Sequence, residues 1–354
     1  MNYELLCQDA VDLLVRLIET PRTSRNETQA ADVLENVMRN DYGLDVRRDG
    51  NNIWTIAGDY LEERQTLLLN AHIDTVKPSD TWTHDPYKAT IEDDRIYGLG
   101  SNDDGASLVT LLQVFRVLSA KNRSYNLIFL ASCEEEVSGK NGIGHALTLL
   151  PHIDAALVGE PTGMQPAIAE KGLMVLDFTA HGRSGHAARD EGNNAIYHAI
   201  DDINWLRSYQ FPKISPTLGP VKMTVTVINA GSQHNVVPDT CTFTADIRSN
   251  ELYSNTEILD FIKSHVKSDV QPRSTRLMSS RIDETHPMLQ RAMQMDLKPF
   301  GSPTLSDQAL LRCPSMKMGP GQSCRSHSAD EFVCLSEIRQ ALDIYVRLLD
   351  GLDL

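Results

Sequence analysis

Apolar positions in the first part of the chain follow two alternating patterns. Four short apolar runs are bounded by turn residues, as in strands buried on both faces; they are NNIWTIAG, TLLLNAHID, NLIFLAS and DAALVGE. Between them, DGASLVTLLQVFRVLSA and NGIGHALTLL repeat their apolar residues at helical spacing. Strands that alternate with helices predict an α/β fold, in which a mostly parallel sheet carries helices on both faces.

The pattern changes near Lys171. Three segments alternate more strictly, as strands with one solvated face do: GLMVLDFTAHG, VKMTVTVINAG and CTFTADIRS. Two helical patterns lie among them, NNAIYHAIDDINWLRSY and NTEILDFIKSHV, and the strand-like STRLMSSRI closes the block. After about Glu284 the chain returns to helix, strand and helix. We therefore predict a two-layer α+β domain at 171–284, inserted into an α/β domain formed by 1–170 and 285–354.

Composition and charge narrow the range of partners. The 354 residues carry a formal net charge of -15, and so acidic a surface argues against nucleic acid and anionic membrane as partners. No apolar run approaches the roughly 18 residues of a membrane span, and the N-terminal segment is typical of an amphipathic helix rather than a signal peptide. Six cysteines without CxxC spacing are typical of free thiols. We therefore expect a cytoplasmic protein.

Histidines and acids follow the predicted buried strands. In a parallel α/β sheet the carboxyl ends of the strands meet at one edge, where ligands bind, so we expect these side chains to lie close together. They are His72 and Asp74, the acid triplet Glu134, Glu135 and Glu136, then Glu160 and His327, and Asp103 and Asp104 at the start of a helical segment. No cluster of lysine or arginine in the sequence supplies a countercharge for so many carboxylates.

A divalent metal is the simplest countercharge for this set. Imidazole and carboxylate suit zinc, with manganese or cobalt as alternatives. Two histidines and three or four carboxylates are enough for two zinc ions that share a bridging carboxylate. Such a pair, roughly 3.5–4 Å apart, can activate a water molecule and polarise a carbonyl. Asp74 would then orient His72 through its second ring nitrogen.

Each of these residues also has an ordinary structural interpretation. His72 alone is typical of a hydrogen-bonded core histidine, the acid triplet of a solvated helix N-terminus, and Asp103 and Asp104 of N-cap acids. Two other classes of function stay open, namely a binding protein with a relic site and a mononuclear iron oxygenase. The complete set of candidate ligands disfavours the first, and the surplus of acids disfavours the second.

The chain resembles the zinc-dependent deacylases in six segments that occur in the same order: HIDTV, GLGSND, EEE, GEPT, GRSGHAA and HSADEF. This family includes acetylornithine deacetylase, succinyl-diaminopimelate desuccinylase, aminoacylase and the carboxypeptidase G type. The resemblance runs from Leu67 to Phe332 and is closest to acetylornithine deacetylase. It implies a zinc-peptidase-like α/β/α catalytic domain, with the inserted domain as a lid that also mediates dimers.

The resemblance also implies a role for each acid and histidine. The implied metal ligands are Asp103 as the bridge between two ions, His72 and Glu160 at one site, and Glu136 and His327 at the other. Glu135 is implied as the general base that takes a proton from the bridging water. Asp74 is implied as the residue that orients His72.

For the inserted domain, the resemblance implies contacts with the substrate. His186 of GRSGHAA would stabilise the developing oxyanion, reaching into the partner subunit's site of a homodimer. Asn235 and Arg248 would contact the substrate, since an arginine can hold an α-carboxylate with two parallel hydrogen bonds. A strand salt bridge is the ordinary alternative for Arg248. Ser306 and Asp307 of TLSDQAL are further candidates near the substrate.

The function that follows is removal of a short acyl group from an N-acyl-L-amino acid, a small-molecule substrate. The resemblance points to acetyl-ornithine or acetyl-citrulline, and so to arginine biosynthesis. Succinyl-amino acids and dipeptides remain as alternatives, so a desuccinylase, dipeptidase or carboxypeptidase is the second hypothesis.

Overall fold

The computed structural model describes residues 3–189 and 191–354. The helices of these residues are α1 (Tyr3–Ile18), α2 (Thr28–Asn36), α3 (Ala106–Ser119), α4 (Ile143–Ala146), α5 (Ala195–Ser208), α6 (Asn255–Lys263), α7 (Pro287–Gln294) and α8 (Leu335–Leu349). Within the described part of the chain, no helix is both long enough and apolar enough to cross a membrane.

The strands are short and frequent. They are β1 (Val46–Asp49), β2 (Asn52–Ile56), β3 (Thr66–His72), β4 (Thr90–Glu92), β5 (Arg95–Tyr97), β6 (Asn126–Ser132), β7 (Ala155–Val158), β8 (Ala167–Glu170), β9 (Gly172–His181), β10 (Gly185–His186), β11 (Lys222–Ala230), β12 (Val236–Val237), β13 (Thr240–Ser249), β14 (Asp269–Pro272), β15 (Ser280–Arg281), β16 (Phe300–Ser302), β17 (Ser315–Lys317) and β18 (Phe332–Cys334).

The central sheet has the strand order β1-β2-β6-β3-β7-β17-β8-β15, with β16 paired to β8. Its middle is parallel, since β6, β3, β7 and β17 run in one direction. The flanking strands β2 and β8 join this middle antiparallel. The prediction of a mostly parallel sheet therefore holds for the middle only. At one edge β1 turns directly into β2, and so tight a turn joins only antiparallel strands.

Alternate residues of the buried strands pack on opposite faces of the central sheet. Leu67 and Leu69 of β3 belong to the larger core, with the apolar sides of α1, α3 and α8, whereas Leu68 belongs to a smaller core on the other face. Burying one such leucine contributes about 1.5–3 kcal/mol. Because both faces are covered, the whole strand is apolar, which explains the compact apolar runs in the sequence.

The described chain forms two compact units. The first comprises the described residues through Ile168, Arg281–Phe300 and Ser306–Leu354, and the second comprises Ala169–Ser280 and Gly301–Leu305. The second unit contains an antiparallel sheet of strand order β11-β13-β9-β14. Along β9 every second residue is buried, and these residues pack with the apolar sides of α5 and α6. This alternation is the pattern of a strand with one solvated face.

The prediction for the last strand of the inserted block was wrong. STRLMSSRI was expected to close the block, but the fourth strand of the sheet is β14, which pairs with β9. Within STRLMSSRI only Ser280–Arg281 is a strand, and it belongs to the central sheet. The segment β14 is short and ends at Pro272, which lacks an N–H and is tolerated at a sheet edge. Its polar residues carry no alternation signal.

Candidate metal centre

Two groups of metal-binding side chains share one carboxylate. In the first group, here the buried group, ligand atoms of His72, Asp103 and Glu160 all lie within 4.8 Å of one another. In the second, here the exposed group, the same holds for Asp103, Glu136 and His327. The structure thus brings together the five residues that the sequence singled out as ligands, with Asp103 common to both groups.

His72 ends β3 and is held at both ring nitrogens. Its Nδ1 lies 3.0 Å from the backbone oxygen of Asp74, and its Nε2 lies 3.1 Å from Oδ1 of Asp103. Burial alone would lower the pKa of His72, but the carboxylates of Asp103 and Asp74 raise it well above its ordinary value. The surroundings of Nε2 therefore favour a cation, and a metal ion would take the place of the ring proton there.

Asp74 is fully buried and does more than orient His72. Its Oδ1 accepts a hydrogen bond from the backbone N–H of Glu135 at 3.0 Å, and its Oδ2 accepts one from Glu136 N–H at 3.2 Å. The hydroxyl of Ser24 donates to the same oxygen at 2.7 Å. Asp74 therefore holds the imidazole of the buried group through its backbone oxygen, with its carboxylate 3.5 Å from Nδ1, and holds the turn that carries two acids of the centre through its carboxylate.

Asp103 and Asp104 are adjacent, joined by a cis peptide bond, and have different surroundings. Burial raises the pKa of Asp103, but its contacts with His72 and its closeness to His327 outweigh burial and lower it. Burial raises the pKa of Asp104 to about 7. Its Oδ2 accepts from the backbone N–H of His72 at 3.3 Å, and its Oδ1 has no hydrogen-bond partner among the described residues. Asp103 is therefore the better candidate for the bridge.

Glu331 holds the backbone around Asp103, the candidate bridging residue. Its carboxylate accepts hydrogen bonds from the backbone N–H groups of Gly100, Asn102 and Asp103 at 2.8–2.9 Å. Burial raises the pKa of Glu331 to about 8. No role was predicted for this acid from the sequence. Its position directly after Asp330, within the segment HSADEF, is the local feature of the sequence that could have suggested a role in the site.

The three acids of the triplet point to different partners because the chain turns sharply there. Glu134 has a left-handed backbone, with φ of 55°, and precedes the 3₁₀ turn Glu135–Val137. Its buried carboxylate accepts from the side chain of Asn141 at 2.8 Å, so it braces the turn rather than facing solvent. Glu136 lies 3.0 Å from Nε2 of His327.

Glu135 and Glu160 are two acids of the centre whose pKa values are strongly raised. Desolvation raises the pKa of each well above its ordinary value. The negative charge of Glu160 raises the pKa of Glu135 further, whereas Lys317 acts in the opposite direction on Glu160. Lys317 is buried in β17, next to β7, and was not singled out from the sequence. A carboxyl group with a raised pKa can both accept and return a proton near neutral pH.

Asp307 lies at the carboxyl end of the buried strands. Its carboxylate accepts a hydrogen bond from the hydroxyl of Ser132, the last residue of β6. Burial raises the pKa of Asp307 to about 6. Ser306 caps the turn that begins at Asp307, and its side chain accepts a hydrogen bond from the backbone N–H of Gln308. A contact of Asp307 with substrate stays a prediction.

His186 and Asn235 of the second unit lie on a two-stranded ribbon. β10 pairs with β12, where His186 is opposite Val236, and the backbone N–H of Ala187 donates to Asn235 O at 3.0 Å. Nδ1 of His186 accepts a hydrogen bond from Ala188 N–H at 3.1 Å. In the neutral ring the proton therefore lies on Nε2, which makes Nε2 a hydrogen-bond donor.

Arg248 of the second unit already has a carboxylate partner. Its Nε and Nη2 donate to the two carboxylate oxygens of Asp246, at 2.8 and 3.1 Å. The two residues are two positions apart on β13, so their side chains share a face of the strand. The salt bridge that was the ordinary alternative for Arg248 is thus present, and a substrate contact stays a prediction.

The chemistry of the donor set fits divalent cations. The two groups offer imidazole nitrogens and carboxylate oxygens, which suit zinc, manganese or cobalt. The second ring nitrogen of His72 is engaged by Asp74, as is usual for a histidine that binds metal. The buried acids also outnumber the cations beside them, Arg22 and Lys317, so a metal ion would complete the charge balance.

Comparison with known proteins places these features in a family. Residues 68–351 match the family model described as peptidase family M20/M25/M40. The chain is 26% identical over 374 residues to a succinyl-diaminopimelate desuccinylase of Corynebacterium glutamicum, covering 99% of this chain and 100% of the relative. It is 28% identical over 310 residues to an acetylornithine deacetylase of Yersinia pseudotuberculosis, covering 80% of this chain and 78% of the relative.

A solved structure has the same fold. The crystal structure of a tripeptidase from Staphylococcus aureus superimposes with a TM-score of 0.77 at 20% identity, covering 97% of each chain. The α/β fold class predicted from the sequence is thereby confirmed.

Proposed function

This chain belongs to peptidase family M20/M25/M40, and we propose that it is a two-metal amide hydrolase that removes a short acyl group from an N-acyl-L-amino acid. The resemblance to the deacylases is confirmed, and the chain is an enzyme of a metallohydrolase family. The single observation that carries the proposal is the carboxylate of Asp103, which belongs to both donor groups.

The metal ions would be held by the two groups described above. His72, Asp103 and Glu160 would hold one ion, and Asp103, Glu136 and His327 the other. Zinc is the first choice, with cobalt and manganese as alternatives. When bound, such ions lower the pKa of a water molecule and polarise an amide carbonyl.

The residues of the chain would move the protons. Glu135 would take a proton from the attacking water on a carboxylate oxygen and return it to the nitrogen of the leaving amine. The burial that raises the pKa of Glu135 suits both steps, since the protonated form is then readily reached. Asp74 would keep Glu135 in place through its backbone N–H while orienting His72.

His186 would donate from Nε2 to the oxyanion that develops on the carbonyl oxygen. In this proposal it acts in the partner subunit's site of a homodimer formed through the inserted lid. Two features of the second unit support such an interface. Val227 and Ile228 are exposed on the edge strand β11, and Tyr197 is 68% exposed on α5. Exposed apolar residues on an edge strand are typical of a surface that another chain covers.

The first substrate hypothesis is acetyl-ornithine or acetyl-citrulline, which would place the enzyme in arginine biosynthesis in the cytoplasm. The relative named acetylornithine deacetylase supports it. The relative named succinyl-diaminopimelate desuccinylase supports the alternative, a succinyl-amino acid. A dipeptidase or carboxypeptidase is the third option. Asn235 and Arg248 would contact the substrate, and Arg248 would have to exchange its bond with Asp246 for one with an α-carboxylate.

A panel of substrates tests this proposal. The protein is freed of metal, supplied with zinc, cobalt or manganese, and given acetyl-amino acids, succinyl-amino acids and dipeptides, while amine release is measured. We expect release from acetyl-ornithine or acetyl-citrulline with at least one metal. Release from dipeptides or succinyl-amino acids alone would replace the first hypothesis with the alternative. No release from any of them, and no bound metal, would favour a binding protein with a relic site.

A further inference from the structure

Arg22 is a buried arginine whose position next to the metal centre was not foreseen from the sequence. It is 2% exposed and lies in the segment after α1. The segment is fixed alongside the residues after β3, because Thr75 N–H donates to Arg22 O at 3.0 Å and Ser24 N–H donates to Thr75 O at 3.1 Å. These backbone bonds therefore hold Arg22 next to the segment that follows β3, the strand that ends at His72.

The guanidinium of Arg22 joins two segments of the metal centre. Nη1 donates to the backbone oxygen of Ile73 at 2.6 Å, and Nη2 donates to the backbone oxygen of Gly100 at 2.8 Å. Ile73 lies between His72 and Asp74, and Gly100 lies at the start of the turn that carries Asp103. Nε has no hydrogen-bond partner among the described residues. Both bonds are to neutral carbonyl groups, so neither neutralises the charge.

The local backbone keeps space for this guanidinium. Gly100 has a left-handed backbone with φ of 70°, and a Cβ at this position would lie 2.4 Å from Cγ2 of Thr75 and 2.6 Å from Nη2 of Arg22. A side chain at Gly100 would therefore displace both Thr75 and the arginine. The close approach indicates that the two positions fit each other in this chain.

The charges that act on Arg22 come from the metal centre and the acid that supports it. They are Glu331, Asp74, Asp104 and Asp103. An arginine stays charged in proteins, and a buried charge is costly unless opposite charges lie near it. In the metal-free protein these acids and Arg22 stabilise each other. When metal ions bind the same acids, the positive charge of Arg22 opposes them.

We propose that Arg22 is a positioning residue that serves as the built-in counter-ion of the metal centre, stabilising its acids without metal and opposing metal binding. This inference rests on the two-metal site of the proposed function. It has a definite sign: removal of the charge should destabilise the metal-free protein more than the zinc-loaded protein. By thermodynamic linkage, the same variant should bind zinc more tightly.

The test compares Arg22→Met, Arg22→Lys and a matched control, Arg123→Met. Arg123 is also buried, donates to the backbone oxygens of Leu118 and Lys121, and leaves its Nε without a hydrogen-bond partner in the described chain. Its carboxylate partner is Asp59, which is outside the metal centre. Thermal unfolding is measured for each protein with and without zinc, and zinc affinity by competition with a chromophoric chelator.

We expect Arg22→Met to lower the Tm of the metal-free protein more than that of the zinc-loaded protein, and to tighten zinc binding about tenfold, the size expected for one nearby buried charge. Arg22→Lys, which keeps the charge but not the fork of donors, should recover at least half of the loss in metal-free Tm. Arg123→Met should lower both Tm values by the same amount and leave zinc affinity unchanged.

An equal loss of Tm in both forms, or unchanged or weaker zinc binding by Arg22→Met, would overturn the proposal and make Arg22 a structural cross-link. Arg22→Lys that behaves like Arg22→Met would also overturn it. If Arg22→Met does not fold without metal, the Tm of metal-free Arg22→Lys is the deciding measurement. A Tm near that of the wild type supports the counter-ion role of Arg22, and failure of Arg22→Lys to fold contradicts it. A wild-type protein that binds no zinc would instead contradict the proposed function.

Discussion

The two donor groups of the metal centre share Asp103 but are built in different ways. In the buried group, His72 ends β3 and Glu160 follows β7, and the His72 side chain is 2% exposed. In the exposed group, Glu136 lies on a 3₁₀ turn and His327 lies in a loop with φ of 58°, where its side chain is 54% exposed. One group is built on strand ends and the other on loops.

The contrast extends to the contacts of the two histidines. His72 is held at both ring nitrogens, whereas the contacts of His327 within the described residues involve Nε2 alone. Ligands that are fixed before binding lose less freedom when the metal arrives. We therefore expect the buried group to bind metal more tightly and the exposed group to exchange it faster.

The largest effect should come from Glu135, which is a ligand in neither group. Glu135→Gln removes the proposed base while keeping the size of the side chain. Amine release should fall about 10²–10⁴-fold, as is typical when a general base is lost. Turnover is measured with the best substrate of the panel, and metal content by elemental analysis. Less than a tenfold fall in turnover, with metal content unchanged, would show that another residue is the base.

Removal of one histidine from each group tests whether the buried group binds metal more tightly than the exposed group. His72→Ala and His327→Ala should each reduce zinc from about two ions to about one per chain, because each removes a ligand that only one ion uses. His72→Ala should also lower the Tm of the metal-free protein more, since it empties a buried position. Calorimetric titration should show that His327→Ala loses the weaker binding step. Loss of the tighter step in His327→Ala would reverse the assignment.

A smaller effect is expected at Asp74, which supports the buried group without being one of its proposed ligands. Asp74→Asn keeps the shape of the side chain but removes the charge that orients His72 and the turn at Glu135. Zinc affinity should fall about 10–100-fold, the usual cost of losing such a partner of a metal ligand. Ser24→Ala, which removes one hydrogen bond from the same carboxylate, is the control and should cost less. Equal losses in both variants would mean that the charge of Asp74 is not what matters.

The smallest effect should come from Asp330, which holds the loop of His327. Its carboxylate accepts from the backbone N–H groups of Thr83 and His84 and from the Thr83 hydroxyl, and these bonds lower the pKa of Asp330. Asp330→Ala should weaken zinc binding by the exposed group at most about fivefold.

The contribution of Asp330 to the stability of the metal-free protein should depend on pH in a definite direction. The hydrogen bonds to Asp330 lower its pKa in the folded protein. Their contribution to the free energy of unfolding is therefore complete above the pKa of an aspartate in the unfolded chain, about 3.9, and is lost as the pH falls below that value. The Tm difference between the metal-free wild type and Asp330→Ala should be constant from pH 8 to pH 5 and shrink below about pH 4. A difference that grows at low pH would contradict the contact.

The ligands that follow buried strands could be predicted from the sequence, because the pattern of apolar residues reveals those strands. Buried strands leave compact apolar runs, and their carboxyl ends meet at one edge, so His72 and Glu160 could be placed without a structure. The turn that points the side chains of Glu134 and Glu135 in different directions could not be predicted from the periodicity. Three adjacent acids look alike in sequence, and only the left-handed backbone at Glu134 separates their directions.

The supporting residues were missed because their signals are not local. Arg22 contacts residues 51 and 78 positions away, and Glu331 contacts residues about 230 positions away. Each is a charged residue in a segment between helices and strands, where no hydrophobic period indicates the direction of its side chain. The strand β14 was missed for the related reason that it is short and polar.

Anomalous diffraction from crystals grown with zinc would show whether Asp103 bridges two metal ions, as we propose. We expect two zinc peaks roughly 3.5–4 Å apart, each within about 2.2 Å of a different oxygen of the Asp103 carboxylate. One peak should also contact His72 and Glu160, and the other Glu136 and His327. A single peak, or two peaks of which only one contacts Asp103, would rule out a bridging role for Asp103.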